Sequence, residues 1–357
     1  MEAQPLPEIN DGRTTYDRWV ESEQVKLVGG YYIPDLNELE LDWWPRKGVK
    51  GAILRLVGTE DTNDCHLIEL PPGGQTNPEH HIYEELVFVL KGRGATTVWH
   101  DPSRRQTFEW HEGSLFSIPL NAWYQHFNGT GTESARMMAV TSAPLVINLF
   151  HNHDFVFNNP FVFSDRFNPD DPDFFSGEGK AWAGRVWETN FIPNVKDVEL
   201  ISWKERGASG TNRMLEIGNS SMTAHISQFP VGTYKKAHRH GPGAHVVILD
   251  GIGYSLMWPE GAPIQRFDWK PGSVVVPPDQ WFHQHFNVGP TPARYLALRW
   301  GSRKYRVFKS YGIEKSIKQG GDQIEYADEA PEIRQMFIEE CRKHGVTPRM
   351  EEHWSNA

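Results

Sequence analysis

The chain has 357 residues, enough for two domains of ordinary size or one large one, and its 38% hydrophobic residues, with 14 Trp and 19 Phe, can fill substantial cores. A net charge of −10, with no basic patch interleaved with aromatics, argues against nucleic acid or an anionic membrane as the main partner. The two cysteines, Cys65 and Cys341, form neither a zinc pattern nor a disulfide framework, so any metal must be held by His and carboxylates, and a reducing cytoplasm is the expected compartment.

The opening MEAQPLPEINDGRTTYDRW has no charged n-region and no apolar h-region, so no secretory signal is expected there, and no apolar run approaches bilayer length. Residues 1–44 are polar with scattered aromatics and are expected to form an N-terminal arm lying on the body or on a partner subunit. Beyond them come short apolar runs broken by Gly, Pro, Asn and Asp: AILRLV (52–57), HLIEL (66–70), ELVFVL (85–90), ATTVW (95–99) and SLFSIP (114–119). Short, evenly spaced strands with turn signals predict an antiparallel sandwich or barrel over residues 45–150. Residues 151–202, rich in Phe, Asn, Asp and Pro, are expected to connect two units with little regular structure.

The same texture returns over residues 203–310, and it is a repeat. One gapless offset of 159 aligns PGGQTNPEHHIYEELVFVLKGRGATTVW (72–99) with VGTYKKAHRHGPGAHVVILDGIGYSLMW (231–258), Gly113 with Gly272, Pro119 with Pro278, and QHFN (125–128) with QHFN (284–287). It also pairs Trp44 with Trp203, Gly51 with Gly210 and His66 with His225. Two copies of one β domain follow. In the tail, 311–357, a helix is predicted over 331–344: Pro331 suits its first position, Ile333, Met336, Phe337 and Cys341 share a face, and Gly345 can end it. Its expected role is packing, within the subunit or across a dimer.

Within the second copy, His238 and His240 stand two apart, and about forty residues on His283 and His285 do the same. Side chains at i and i+2 of a strand share a face, so His238, His240 and His283 can form a facial set of nitrogen ligands for a divalent metal. Two surface pairs that never meet are the bland alternative. The first copy has Glu79, His81, Glu85 and Tyr124 at the positions of His238, His240, Ala244 and His283. Its metal site is therefore expected to be degenerate, a hydrogen-bonded remnant in which only a harder ion could be held.

These residues resemble the cupin superfamily, with motifs G-x5-H-x-H-x3,4-E-x6-G and G-x5-P-x-G-x2-H-x3-N. The second copy matches with Gly232, His238, His240, Gly251, Gly272, Pro278, His283 and Asn287; the first with Gly74, His81, Glu85, Gly92, Gly113, Pro119 and Asn128. The resemblance implies an all-β chain of two tandem cupin (double-stranded β-helix, jelly-roll) barrels with a C-terminal helix. HRHGPGA (238–244), together with His283 and His285, is similar to the bicupin dioxygenases of gentisate, salicylate and 1-hydroxy-2-naphthoate, which carry a three-His ferrous centre.

That likeness implies a non-haem Fe(II) dioxygenase, an oxidoreductase of aromatic compound degradation, cleaving a C–C bond of a small hydroxylated aromatic or enolisable substrate. Its partners would be that substrate and O2, in a homo-oligomer without nucleic acid or membrane. His285, Trp281 and Tyr254 are the residues expected to shape the substrate pocket. The departures are Val246, where the group has a carboxylate-binding Arg, and Ser227, where it has a Gln. Arg299 could replace that anchor, although an exposed strand Arg is the commoner case. His245, next to Ala244, points away from the metal in a regular strand and becomes a fourth ligand only if 241–243 bulges. A redox-neutral Mn, Zn or Ni cupin (isomerase, lyase or decarboxylase) and a non-catalytic binding bicupin remain as alternatives.

Overall fold

The computed structural model of the protein describes residues 12–59, 61–307 and 314–355; the first eleven residues of the expected arm and parts of the expected tail lie outside them. The alternating runs form two β halves, each a large sheet facing a three-stranded one, and helices Thr15–Glu23, Ala143–Phe150 and His153–Phe157 pack on the first. In the first half the small sheet is Trp123–Asn128, Arg93–Trp99 and Arg105–His111; in the second it is Gln265–Trp269, Gly253–Trp258 and Phe282–Asn287. The strands that carry the repeat are antiparallel, as hairpin-rich sequence requires.

The large sheets of the two halves meet over a shared core. Leu67, Leu86, Met138 and Val140 of the first pack with Leu215, Ile226, Leu296 and Leu298 of the second, all essentially inaccessible. Each such side chain contributes about 1.5–3 kcal/mol by leaving water, so this contact is a major part of the fold.

Neither the arm nor the connecting segment is a passive strap. Tyr32–Ile33 pairs with Val274–Val275 of the second barrel, and Phe191–Ile192 pairs with Leu115–Phe116 of the first. Each barrel thus takes an edge strand from the chain leading into the other. The connector also forms Gly179–Trp182 and Val186–Thr189, which extend the second barrel's large sheet. The expectation of little regular structure over 151–202 is corrected accordingly: its strands are short, and its sequence lacks the alternation by which strands are recognised.

Helix Pro331–Lys343 forms where the sequence places it, with Pro331 in its first turn and Gly345 just beyond it at positive φ. Ile333, Phe337 and Cys341 bury against Tyr234, Tyr254 and Phe286 on the outer face of the second barrel's small sheet. Gly232 is required by two constraints: its φ is +68°, and a Cβ there would stand 2.3 Å from the Thr347 carbonyl oxygen of the tail. No helix among the described residues is long and apolar enough to cross a membrane.

Candidate metal centre

His238 lies on the extended stretch after Met222–Phe229, and its backbone exchanges hydrogen bonds with His283 of Phe282–Asn287 (3.1 and 2.9 Å). That bridge puts the His-x-His pair of one stretch beside the other. The ring centroids are 4.3 Å apart for His238 and His283, 4.6 Å for His240 and His283, and 5.8 Å for His238 and His240. One ligand nitrogen from each falls within 4.8 Å of the others, and among the described residues this is the group of three so placed.

The hydrogen bonds behind the rings fix which nitrogen faces inward. Nδ1 of His238 meets the Lys236 carbonyl at 3.2 Å, that of His240 the Gly241 carbonyl at 2.7 Å, and that of His283 the Trp281 carbonyl at 3.2 Å. A carbonyl only accepts, so each Nδ1 carries the hydrogen, and each Nε2 presents a lone pair. Burial, then the neighbouring imidazoles and the Arg206 and Arg299 guanidiniums, keep His238 and His240 far below the ordinary imidazole range. Burial, opposed by its hydrogen bond to Trp281 and helped by the same guanidiniums, brings His283 down to about 3. Three neutral, convergent nitrogen donors fit a divalent transition metal.

His285 is built differently. Its Nδ1 meets Ser255 Oγ at 2.7 Å, and the Trp269 indole donates to the same oxygen at 3.1 Å. The buried Ser255 hydroxyl satisfies its own hydrogen only by donating to Nδ1, which leaves Nε2–H as a donor toward the cavity. The first barrel repeats this relay with His126, Thr96 and Trp110 (2.7 and 2.9 Å), so it is a structural element of both halves.

The three ligands open on a cavity of about 260 Å³. Ala244, Val246 and Ala297 form its apolar wall, and Arg206, Arg299, Tyr295 and His285 its polar one. Arg299 is not the exposed strand arginine the sequence suggested. It shares an inward face with Tyr295 and Ala297 on Ala293–Trp300, and burial, then Arg206, lowers its pKa to about 10. The buried Nε atoms of both Arg206 and Arg299 have no hydrogen-bond partner.

Two expected pocket residues lie elsewhere. Tyr254 sits on the opposite face of its strand from Ser255, stacked on Phe286 at 4.6 Å under the C-terminal helix. Trp281 turns its indole to Tyr31 of the arm (5.5 Å) and serves the site through its carbonyl alone. His245 faces the contact between the barrels, fully buried with both ring nitrogens unpartnered, and the cavity lining does not include it.

The equivalent place in the first barrel is filled from within. The Lys47 ammonium, 3% exposed, pairs with Glu79; Tyr124 donates to Glu79 (2.8 Å) or Glu85 (2.9 Å), and His81 Nε2 meets Glu85 at 2.9 Å. Burial alone would lower the Lys47 pKa, but the two carboxylates outweigh it and raise it. Burial would likewise raise Glu79 and Glu85; Lys47 and His81 together override it, and both are held below the usual carboxylate range. Sequence reasoning missed Lys47, although the repeat offset pairs it with Arg206.

Residues 66–141 match the family model of the cupin domain. Auxin-binding protein T85 of Nicotiana tabacum is 29% identical over 136 residues, which are 35% of this chain and 71% of that protein. Auxin-binding protein 4 of Zea mays is 27% identical over 123 residues, 32% and 59% of the respective lengths. Among solved structures, oxalate decarboxylase of Bacillus subtilis, in a study of its Mn(II) centres, superposes with a TM-score of 0.50 at 13% identity over 76% of this chain and 78% of that one. At that identity the likeness is one of fold. The fold is that of a bicupin, two tandem cupin barrels, and the second barrel carries a three-histidine site suited to a metal.

Proposed function

We propose that the protein is a metal-dependent dioxygenase, holding ferrous iron on His238, His240 and His283 and cleaving a C–C bond of a small hydroxylated aromatic or enolisable substrate. The observation that carries this reading is the donor set: three neutral imidazoles with inward lone pairs. Ala244 occupies the position at which the first barrel has Glu85. Iron bound there would supply open positions for a chelating substrate together with O2. The chain's own residues would do the rest. His285 would donate its Nε2–H to a substrate oxygen, Arg299 and Arg206 would favour an anionic substrate, and Ala244, Val246 and Ala297 would keep water from the reacting face.

A redox-neutral decarboxylase is the second reading. It is favoured by Asp322 among the residues lining the cavity, a carboxyl whose pKa burial raises. The fold likeness to oxalate decarboxylase is compatible with it.

Metal analysis of protein purified without oxygen separates the two. Iron near one per chain, with O2 uptake on a panel of hydroxybenzoates, catechols and diketones, is the expected result. Manganese or zinc with CO2 release from oxalate and no O2 uptake would replace the dioxygenase by the decarboxylase. Metal with neither activity would leave a small-molecule binder, as the relatives named for binding auxin suggest.

A further inference from the structure

We propose that Tyr295, backed by Lys235, is the base that takes up the hydroxyl proton of the substrate as it enters the cavity beside the three imidazoles. The proposal rests on the three-histidine reading and assigns the substrate an ionisable O–H.

Lys235 is 1% exposed, and its ammonium donates to the Tyr295 hydroxyl at 3.1 Å. Around it stand the rings of Trp203 (5.3 Å), Phe229 (5.4 Å) and Tyr295 (4.8 Å). Among the described residues no carboxylate lies within 4.0 Å of it. Burial lowers the Lys235 pKa, since an ammonium so buried costs several kcal/mol unless something answers its charge; Tyr295 opposes that shift, and its phenol oxygen is placed to answer the charge as phenolate.

That oxygen belongs to a residue lining the same cavity as the three ligands, with its ring 5.4 Å from His285 and 5.9 Å from His225. The groups facing it are Lys235 from the preceding loop, His225 and Ser227 from the adjacent strand, His285 from the small sheet, Arg206 from the turn at 204–206, and Arg299 along its own strand. All are cations, neutral bases or hydroxyls. Burial alone would raise the Tyr295 pKa; the Lys235 ammonium, with the Ser227 hydroxyl and the Arg206 guanidinium, outweighs it and lowers it.

The first barrel supplies an internal control. Thr76 donates its backbone N–H to His126 as Lys235 does to His285, and Met137 stands opposite Ile68 as Tyr295 stands opposite Ser227. The pair is therefore Thr76 and Met137 in the barrel without the three histidines, and Lys235 and Tyr295 in the barrel that has them. Retention of a costly pair only beside the metal ligands is what a role in the reaction requires.

The step balances without a co-reactant. The resting pair has released one proton to solvent and stands as phenolate and ammonium. The substrate O–H bond breaks, its electron pair stays on the substrate oxygen, and the proton forms a new O–H bond on Tyr295. Lys235 remains an ammonium throughout, and the proton returns to solvent when product leaves.

Two measurements on the full-length, metal-loaded chain test this with Tyr295→Phe and Lys235→Met, metal content being read in each. Titration by tyrosinate absorption is expected to show one tyrosine of the wild type ionising ahead of the ordinary range and already present as tyrosinate at the working pH. That signal should be missing from Y295F and shifted upward in K235M. Para-nitrocatechol, whose colour reports its ionisation, should bind the wild type in its more ionised form; Y295F should raise the midpoint by about one pH unit and weaken binding about tenfold. Identical tyrosinate titrations for wild type and Y295F, or a probe midpoint unmoved by Y295F, would overturn the proposal even if K235M fails to fold. Absence of metal in the wild type would instead overturn the three-histidine reading, while the tyrosinate titration still judges the pair.

Discussion

The two barrels answer the same physical demand in opposite ways. In the first, Glu79 and Glu85 gather inward negative charge, and Lys47 brings the compensating cation within the chain. In the second, the equivalent places hold His238, Ala244 and, for Lys47, Arg206; the two carboxylates are gone, and the three imidazoles are neutral donors beside the guanidinium. One half is internally satisfied and closed, whereas the other turns three imidazole lone pairs onto an open cavity. Duplicating a fold copies the scaffold, and a handful of interior side chains decides which copy presents convergent donors.

The largest expected effect breaks the second site alone. His283→Ala should lower metal affinity by more than about 100-fold, exceeding the loss usual for an outer partner, while Tyr124→Phe should leave the metal content of the purified protein unchanged. Equal losses would mean that the ion sits in the first barrel. Next, Lys47→Met strands the buried carboxylates of Glu79 and Glu85 and should destabilise the fold by about 3–5 kcal/mol in denaturant. Its metal content should stay that of the wild type; a gain would show that the ammonium was all that kept an ion out.

Acid should weaken both halves. Burial holds His126 and His245 neutral, bringing each down to about 4, against about 6.5 in an unfolded chain. The unfolded state therefore binds more protons between these values. Stability is full above about pH 6.5 and falls as pH drops toward 4, by about 2 kcal/mol per imidazole at pH 5. A denaturation midpoint equal at pH 7 and pH 5 would contradict this. The smallest effect separates the two relays: Thr96→Val and Ser255→Ala should each cost about 1–3 kcal/mol by leaving a buried imidazole nitrogen unpaired. Only Ser255→Ala should also alter ligand binding, because only His285 faces the cavity of the three histidines.

Much of this was legible in the sequence. The 159-residue offset exposed the duplication, and the period of two placed His238, His240 and His283 together. The same alternation, applied further, places Tyr254 outside: Ser255 lies opposite His285, so its neighbour must face away. Arg299 likewise follows Tyr295 and Ala297 at steps of two. Lys47 and Lys235 were harder to read, since each stands outside the named strands and reaches its partners from a loop. The exchanged segments Tyr32–Ile33 and Phe191–Ile192 span two residues each, too few to show a pattern.

That exchange gives the barrel without the three histidines a structural task. The second barrel's edge at Val274–Val275 is covered by a strand threaded through the first half's leading segment, and the debt is mutual at Leu115–Phe116. Neither half can be excised at the connector without exposing a sheet edge on the other. The pair should melt in a single cooperative transition, with the barrel that lacks the imidazoles serving as the clasp of the barrel that has them.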